Sequence, residues 1–424
     1  MKRETSLPYR HTTRPRRSSP GRAHVIGGLS MTLIIALLLA VCLPLETSLA
    51  KKPTTDPDPP PVLYQIDFFN LPNNGYGLLV FDINNFGCVV GSYAELQDAG
   101  ENQYGFVYDH PGYPDRVIDL NDLDYDENAG IPDGWQITHV WGINDLGDIV
   151  ANLKRKDESN NLWRACAINM NVTPHQLIEL NPDNIGMRDW VAGINLLGDI
   201  VVSYEDADGW FEAYLYNLYV PGLYDETEIP VALDLGRITY LSINDNREIA
   251  GQWYPDGPDE DRIVFRCQID DDGVALPKET FPEIDSNYLS VSEINNKGVV
   301  LGKSIYYPGK GQKTVTACFR IYEKPEFLVL LDKTALGFPE SINDQDDFIT
   351  NYLIYHDQHG YLHPDELIDL TDSDDAADWF GSDFSSIYAL NNRTTDDGFG
   401  QIAGVISNDG VKRGFVLTPR PPTD

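Results

Sequence analysis

The chain has 424 residues, with 66 Asp and Glu against 31 Lys and Arg, a formal net charge of −35, and 42% hydrophobic and 11% aromatic residues. So acidic a surface repels the phosphates of nucleic acids and of anionic lipid headgroups, which excludes nucleic acid as a partner. The apolar and aromatic content suffices for a large core.

In chain order, residues 1–50 read as an export signal. Lys2, Arg3, Arg10, Arg14, Arg16, Arg17 and Arg22 form a basic n-region, Met31 to Pro44 an apolar core, and Ser48, Leu49 and Ala50 a small-x-small cleavage site. Cleavage after Ala50 is expected. The apolar stretch can also be counted from Val25 to Leu45, long enough to span a bilayer, so an uncleaved anchor is the alternative and the one case in which a membrane is a partner. Removing residues 1–50 takes away seven basic and two acidic residues, leaving 24 against 64 and a net charge of −40. Residues 51–61, KKPTTDPDPPP, form a stiff Pro-rich spacer, 62–419 the folded domain and 420–424 a short tail. The expected location is outside the cell or in its envelope.

The folded domain says one phrase seven times. Ile-Asn or Leu-Asn, then a polar turn, then a short apolar run, recurs at Asn84, Asn144, Asn195, Asn244, Asn295, Asn343 and Asn391, at intervals of 60, 51, 49, 51, 48 and 48 residues. A period near 50 signals a repeat architecture. In the fourth unit the pieces YLSIN, EIAGQW, RIVFRCQI and LPKETFP are short, rich in β-branched or aromatic residues and separated by turn-formers. They predict four antiparallel strands, and no stretch after residue 50 shows sustained helical periodicity.

In INNFGCVVG, INDLGDIVA, INLLGDIVV and INNKGVVLG the Gly stands three residues after the Asn. That spacing fits a type I turn closed by a left-handed Gly, with the Asn side chain bonding the backbone ahead of it. The Asn is therefore a turn residue and not a catalytic group. Arg247 and Asp346 replace the Gly in two units, and the seventh turn is longer. The third strand pairs a small residue with a bulky one: Gly105-Phe106, Ala165-Cys166, Ala213-Tyr214, Val264-Phe265, Ala317-Cys318 and Gly414-Phe415. Cys166 and Cys318 are read as filling the aromatic slot. With Cys88 and Cys267 they are expected as buried thiols, since equivalent positions in separate sheets lie too far apart to bridge.

Seven four-stranded units predict an all-β fold, a seven-bladed β-propeller. The strand YQIDFFNL (64–71) precedes the first repeat, and the last repeat ends after its third strand, RGFVLTP (413–419). The N-terminal strand is therefore expected to complete the last blade and close the ring.

The I-N-[ND]-x-G-x-[IV]-[VA]-G phrase, the small-aromatic third strand, the segments VIDLNDL, ALDLG and LIDLTDS and the terminal GFVLTP resemble the extracellular HAF repeat family over residues 62–419. The His of His-Ala-Phe is missing from every copy, where Tyr104, Arg164, Glu212, Ile263, Thr316 and Arg413 stand. The resemblance implies export and a propeller-like repeat fold, and no reaction.

Function is expected on the face that carries the dissimilar loops 93–103, 153–161, 253–261 and 304–312, at the mouth of the central channel. Trp135, Trp190 and Trp379 approach innermost strands and are candidates for stacking on sugar rings, against inter-blade packing as the plain reading. Asp122, Asp124, Asp126 and Asn128 alternate as calcium ligands would, although Glu127 stands where an EF-hand loop needs Gly. His356, His359 and His363 are candidates for a transition metal at a hairpin turn. No cofactor is required by any motif, and calcium is the one candidate. Hydrolase, phosphate-loop and dinucleotide signatures are missing. The expected function is that of an exported, non-catalytic, monomeric propeller that binds a protein or polysaccharide. The alternative is a polysaccharide-active hydrolase or lyase whose carboxylates, drawn from different blades, meet in the channel.

Overall fold

A computed structural model of the protein describes residues 64–71, 76–94, 103–156, 162–180, 188–205, 211–219, 231–233, 235–254, 262–271, 273–281, 288–306, 315–322, 325–328, 338–351, 353–356, 360–362, 386–392, 400–408 and 411–420. The export signal and the spacer lie outside the described residues. The described residues form strands and one 3-10 turn, Leu120–Asp122; no helix among them is long and apolar enough to cross a membrane.

The chain opens with β1 (Tyr64–Phe69). Blade 1 follows as β2 (Tyr76–Ile83), β3 (Val89–Ala94), β4 (Gln103–His110) and β5 (Tyr113–Asp119), and blade 2 as β6 (Trp135–Ile143), β7 (Ile149–Arg155), β8 (Trp163–Asn169) and β9 (Gln176–Glu179). Blade 3 is β10 (Asp189–Ile194), β11 (Asp199–Glu205), β12 (Phe211–Asn217) and β13 (Val231–Ala232). Blade 4 is β14 (Ile238–Ile243), β15 (Glu248–Trp253), β16 (Ile263–Gln268) and β17 (Glu279–Phe281). Blade 5 is β18 (Tyr288–Ile294), β19 (Val300–Tyr306), β20 (Val315–Ile321) and β21 (Pro325–Leu328). Blade 6 is β22 (Pro339–Ile342), β23 (Phe348–Thr350), β24 (Ile354–His356) and β25 (Gly360–Leu362). Blade 7 holds β26 (Ser386–Leu390), β27 (Ile402–Asn408) and β28 (Val411–Pro419), with β1 as its outer strand. Every sheet is four-stranded and antiparallel, a meander in blades 1 to 6, and in blade 7 β1 pairs with β28 from Tyr64↔Pro419 to Phe69↔Gly414. The fold is thus the seven-bladed propeller the repeat predicts, closed by its N-terminal strand.

Each blade is too thin to bury its own faces, so the apolar residues collect at the seams between blades. Seven buried clusters occupy the described residues, one per seam. Strand alternation feeds them: Ile149, Ala151 and Leu153 of β7 face blade 1, and Val150 faces blade 3. Phe69 of β1 stacks on Tyr108 of blade 1 at 4.4 Å, so the closing strand also seals the last seam.

The repeated Asn does make the turn. Gly87, Gly147, Gly198 and Gly298 have positive φ between 76° and 89°, and Arg247 and Asp346 adopt the same region at 61° and 68°. Asn84 Oδ1 accepts from the N–H groups of Phe86 and Cys88, both at 3.0 Å, and the pattern recurs in the later turns. The other end of the amide does something a turn residue need not do: Nδ2 donates to the main-chain oxygen of the next blade's Asn. The bonds run Asn84→Asn144 at 3.0 Å, Asn144→Asn195 at 3.3 Å, Asn195→Asn244 at 3.1 Å, Asn244→Asn295 and Asn295→Asn343 at 2.7 Å, and Asn391→Asn84 at 2.8 Å. Asn343 Nδ2 turns to Asp347 Oδ2 instead, at 3.4 Å.

A second ring lies one residue further on. The N–H groups of Asn85, Leu196, Asp245, Asn296, Asp344 and Asn392 each donate, at 2.5–2.8 Å, to the side-chain oxygen at the same position of the next blade. The ring breaks only where Leu196 offers Asp145 no acceptor.

The third-strand signature needs one correction. Phe319, not Cys318, lies opposite Gly302, as Phe106 lies opposite Gly91, Phe265 opposite Gly251 and Phe415 opposite Gly404. The ring covers the missing side chain: a Cβ on Gly302 would stand 2.3 Å from Phe319 Cζ. Cys166 keeps the aromatic slot, opposite Ala151. All four thiols are free and buried, and burial raises their pKa values, Cys88 and Cys267 to about 11 and Cys318 to about 12.

Candidate functional site

The innermost strands β2, β6, β10, β14, β18, β22 and β26 run side by side around the axis toward the Asn turns, so their beginnings mark the opposite, loop-bearing mouth. Each has a bulge just before its Asn: the register shifts at Val80/Asp82, Val140/Gly142, Val191/Gly193, Thr239/Ser242, Val291/Glu293, Pro339/Ser341 and Ile387/Ala389. The residues set out of register are Phe81, Trp141, Ala192, Tyr240 with Leu241, Ser292, Glu340 and Tyr388, and all are half-buried except Tyr240, which is exposed. A bulge in an inner strand re-aims one side chain without ending the pairing. The scaffold therefore repeats the bulge, and the side chains it displays differ.

On blades 1 to 3 these side chains join an aromatic cluster. Trp141 lies 4.8 Å from Phe81, 5.7 Å from His139 and 5.8 Å from Trp190, measured between ring centroids. Trp163 meets His139 edge-on at 4.7 Å and stacks with Trp190 at 5.7 Å and 19°. All five rings are half-buried. Trp141 Nε1 donates to Asn152 Oδ1 at 2.6 Å, Asn152 Nδ2 donates to Asp189 O at 2.7 Å, and Lys154 Nζ stands 5.7 Å over Trp163. Burial pushes the His139 pKa down to about 4, helped by Lys154, so this imidazole is neutral at physiological pH.

Across the mouth the residues are ionisable. Lys303 Nζ sits 3.7 Å over Phe338, and Asn351 Nδ2 donates to Glu340 Oε1 at 2.6 Å. Burial raises Glu340 to about 7, against the pull of Lys303, and burial lowers Lys303.

Deeper in the channel, the position two before the Asn holds Asp82, Ser242, Glu293 and Ser341 in four blades. Asp82 Oδ2 accepts from Ile143 N at 2.9 Å, Glu293 Oε2 from Ile342 N at 2.7 Å, and Ser242 Oγ and Ser341 Oγ from Ile294 N and Leu390 N, each at 3.3 Å. These are again bonds to the next blade. Burial raises Asp82 to about 6 and Glu293 to about 8, and the Asp82 charge is among the causes at Glu293. Carboxyls from blades 1 and 5 thus feel one another across the channel.

The residues singled out in the sequence are distributed otherwise. Trp190 belongs to the aromatic cluster, whereas Trp135 is buried in the seam between blades 1 and 2, with the Arg164 guanidinium 4.3 Å from its ring. Trp379, His359 and His363 lie outside the described residues, and of His356 only the backbone, at the end of β24, is described. The structure does not gather Asp122, Asp124, Asp126 and Asn128. Asp126 Oδ1 accepts from Asn128 N at 2.8 Å, Asp124 O accepts from His175 N, and Asp122 and Asp124 face solvent. Among the described residues no three His, Cys, Asp or Glu side chains are grouped as for a metal ion. The four variable loops are described only at their ends. Phe81, His139, Trp141 and Trp163 escaped the sequence reading because the bulge and the register of β8 bring them together. The usable signal was that aromatics fill the position three before the Asn in blades 1, 2 and 7.

No family model and no curated protein matches the chain. Solved structures similar in fold include a Trypanosoma rangeli sialidase in complex with the inhibitor DANA, with 10% identity and TM-score 0.38 over 82% of this chain and 55% of that one. An ancestral GH74 enzyme shows 11% identity and TM-score 0.46 over 86% and 52%. A fucose-specific lectin from Aleuria aurantia shows 9% identity and TM-score 0.30 over 59% and 76%. The chain spans about half the length of the first of these structures.

Proposed function

We propose that this protein is an exported propeller of the HAF-repeat type that binds a polysaccharide at its loop-bearing mouth without transforming it. The reading is carried by the half-buried cluster of Phe81, His139, Trp141, Trp163 and Trp190, a continuous aromatic surface that three blades contribute and the repeat does not require. Indole faces offer sugar C–H groups a flat apolar partner while their edges bond polar neighbours, as Trp141 Nε1 bonds the buried Asn152, and Lys154 supplies a polar rim. Calorimetry of the full chain against soluble polysaccharides and a glycan array tests it. Trp163→Ala/Trp190→Ala is expected to weaken the bound glycan at least about tenfold. A flat array, or equal binding by the variant, sinks the reading.

One observation favours hydrolysis as a second reading: Asp82 and Glu293 are half-buried, protonated more readily than free carboxyls, and electrostatically coupled. A pair whose pKa values are driven up and apart can divide acid and base roles. Against it, both accept backbone N–H groups in the way Ser242 and Ser341 do at the equivalent positions. Reducing-end release from a polysaccharide that binds, abolished by Glu293→Gln, would replace binding by hydrolysis.

A further inference from the structure

We infer that the Asn-turn face carries a second docking surface, for a protein segment that combines large apolar side chains with Lys or Arg. In blades 1 to 3 the residue two beyond the repeated Asn is Phe86, Leu146 or Leu197, exposed by 61%, 48% and 49%, and Leu196 beside the last is exposed by 39%. Blades 4 to 6 place Asn246, Lys297 and Gln345 there. Hairpin geometry therefore does not call for a bulky apolar residue at this position, and three consecutive blades nonetheless present one to water.

The three tips form one surface. Asn84 Nδ2 bonds Asn144 O at 3.0 Å and Asn144 Nδ2 bonds Asn195 O at 3.3 Å, while Asn85 holds Asp145 through its N–H at 2.8 Å and its Nδ2 at 2.7 Å. Turns clasped this closely set their tips side by side, and a contiguous exposed apolar arc on a soluble chain marks an interaction site, unlike scattered single residues.

Charge selects the occupant. The turn segments 84–88, 109–113, 144–148, 169–175 and 195–199 contain Asp109, Asp145, Asp148 and Asp199 and no Lys or Arg. Asp199 is neutralised by Arg247 of blade 4 at 2.8 Å and Asp148 is buried beneath Tyr219, which leaves Asp109 and Asp145 to make the rim around the arc net negative. A second copy would press this rim, on a chain of net charge −35, against its own likeness. An anionic bilayer is repelled in the same way. A segment with apolar anchors and flanking cations matches both the arc and the rim.

The probe is a fluorescein-labelled peptide built of Leu and Lys, titrated with the full chain by anisotropy at low and high salt. Peptides of Ser with Lys and of Leu with Glu serve as controls. The Leu/Lys peptide is expected to saturate and both controls to fail. Phe86→Ser/Leu146→Ser/Leu197→Ser, which leaves the net charge unaltered and removes the exposed apolar tips, is expected to weaken binding at least about tenfold. Asp109→Asn/Asp145→Asn keeps the side-chain oxygen that the Asn85 N–H needs, as Asn296 and Asn392 do at that position, and should lower both affinity and salt dependence. If the triple variant loses its thermal midpoint, Leu146→Asn, which imports the residue type of blade 4, is expected to weaken the peptide about threefold with the midpoint kept. Equal binding of the Ser/Lys peptide, or wild-type affinity in the variants that fold, overturns the proposal. So does self-association in the ultracentrifuge, or flotation with phosphatidylcholine vesicles, that the triple variant abolishes, because the arc would then belong to a second copy or to lipid.

Discussion

The turn face and the loop-bearing mouth are two ends of the same seven inner strands, and they differ in what is repeated. At the turn face the identical side chain makes the identical bond to its neighbour in nearly every blade, and where Leu196 interrupts the series a link is lost. At the mouth the backbone bulge is repeated, but it presents Phe81 and Trp141 on one side and Glu340 on the other. Closing a ring asks every seam for the same interaction, so uniform residues report contacts of the chain with itself. A ligand has no seven-fold symmetry, and residues that break the pattern are where it can be recognised.

The comparison can be broken hardest at the closure. Deleting residues 62–71 removes the six paired residues of β1 and leaves the last seam open, so cooperative urea unfolding should disappear. Phe69→Ala alone should cost about 3–5 kcal/mol, since the ring is buried against both Phe106 and Tyr108. A deletion variant that unfolds cooperatively at the wild-type midpoint would show that the ring closes without this strand.

Next in size is the amide ring. Asn244 Oδ1 accepts from Asn246 N and Glu248 N, and its Nδ2 donates to Asn295 O and Glu248 Oε2. Asn244→Ala leaves buried backbone groups without partners and should cost about 2–4 kcal/mol in denaturant unfolding. Glycan affinity of the folded fraction should not move. Trp163→Ala/Trp190→Ala should do the reverse, with the smaller stability loss and the larger binding loss. If the Asn variant changed affinity as much as the Trp variant, the division between scaffold end and binding end would fail.

Much of the scaffold end was legible in the sequence, because a period, a turn grammar and an orphan strand are all linear signals. Inter-blade partners were not: Asn84 and Asn391 lie 307 residues apart, and nothing local distinguishes an Asn that only closes a turn from one that also joins two blades. Cys318 shows how a pattern read one residue out of register misplaces a side chain, since the pairing Gly302↔Phe319 is fixed across strands and not along one. The mouth was legible only in part, with Trp190 found and its four ring partners missed. The register error itself is testable. Gly302→Ala drives a methyl into Phe319 and should destabilise by about 1–3 kcal/mol. Phe319→Cys in the same chain should recover part of that loss, as the native Ala151 and Cys166 pair manages in blade 2, and a double-mutant cycle measures the coupling.

The smallest effect concerns the channel between the two ends, where Glu293 could serve either. Its folded pKa is raised by burial from 4.5 to about 8, so the folded protein binds this proton more tightly than the unfolded chain does. The stability it contributes is full below pH 4.5 and is lost as pH rises through 8, and Asp82 adds the same slope between 3.8 and about 6. Thermal midpoints should therefore fall from pH 5 to pH 8.5. Glu293→Gln stays neutral throughout and can still accept from Ile342 N, so its curve should be flatter, and at pH 8.5 it should be the more stable of the two. The exposed acids are common to both proteins and cancel in the difference. Parallel curves would mean that Glu293 is ionised in the folded channel, and the case for a protonated acid there, structural or hydrolytic, would end. A flatter curve with unaltered glycan binding and no hydrolysis in either protein would place Glu293 with Ser242 and Ser341, among the groups that bind blade to blade.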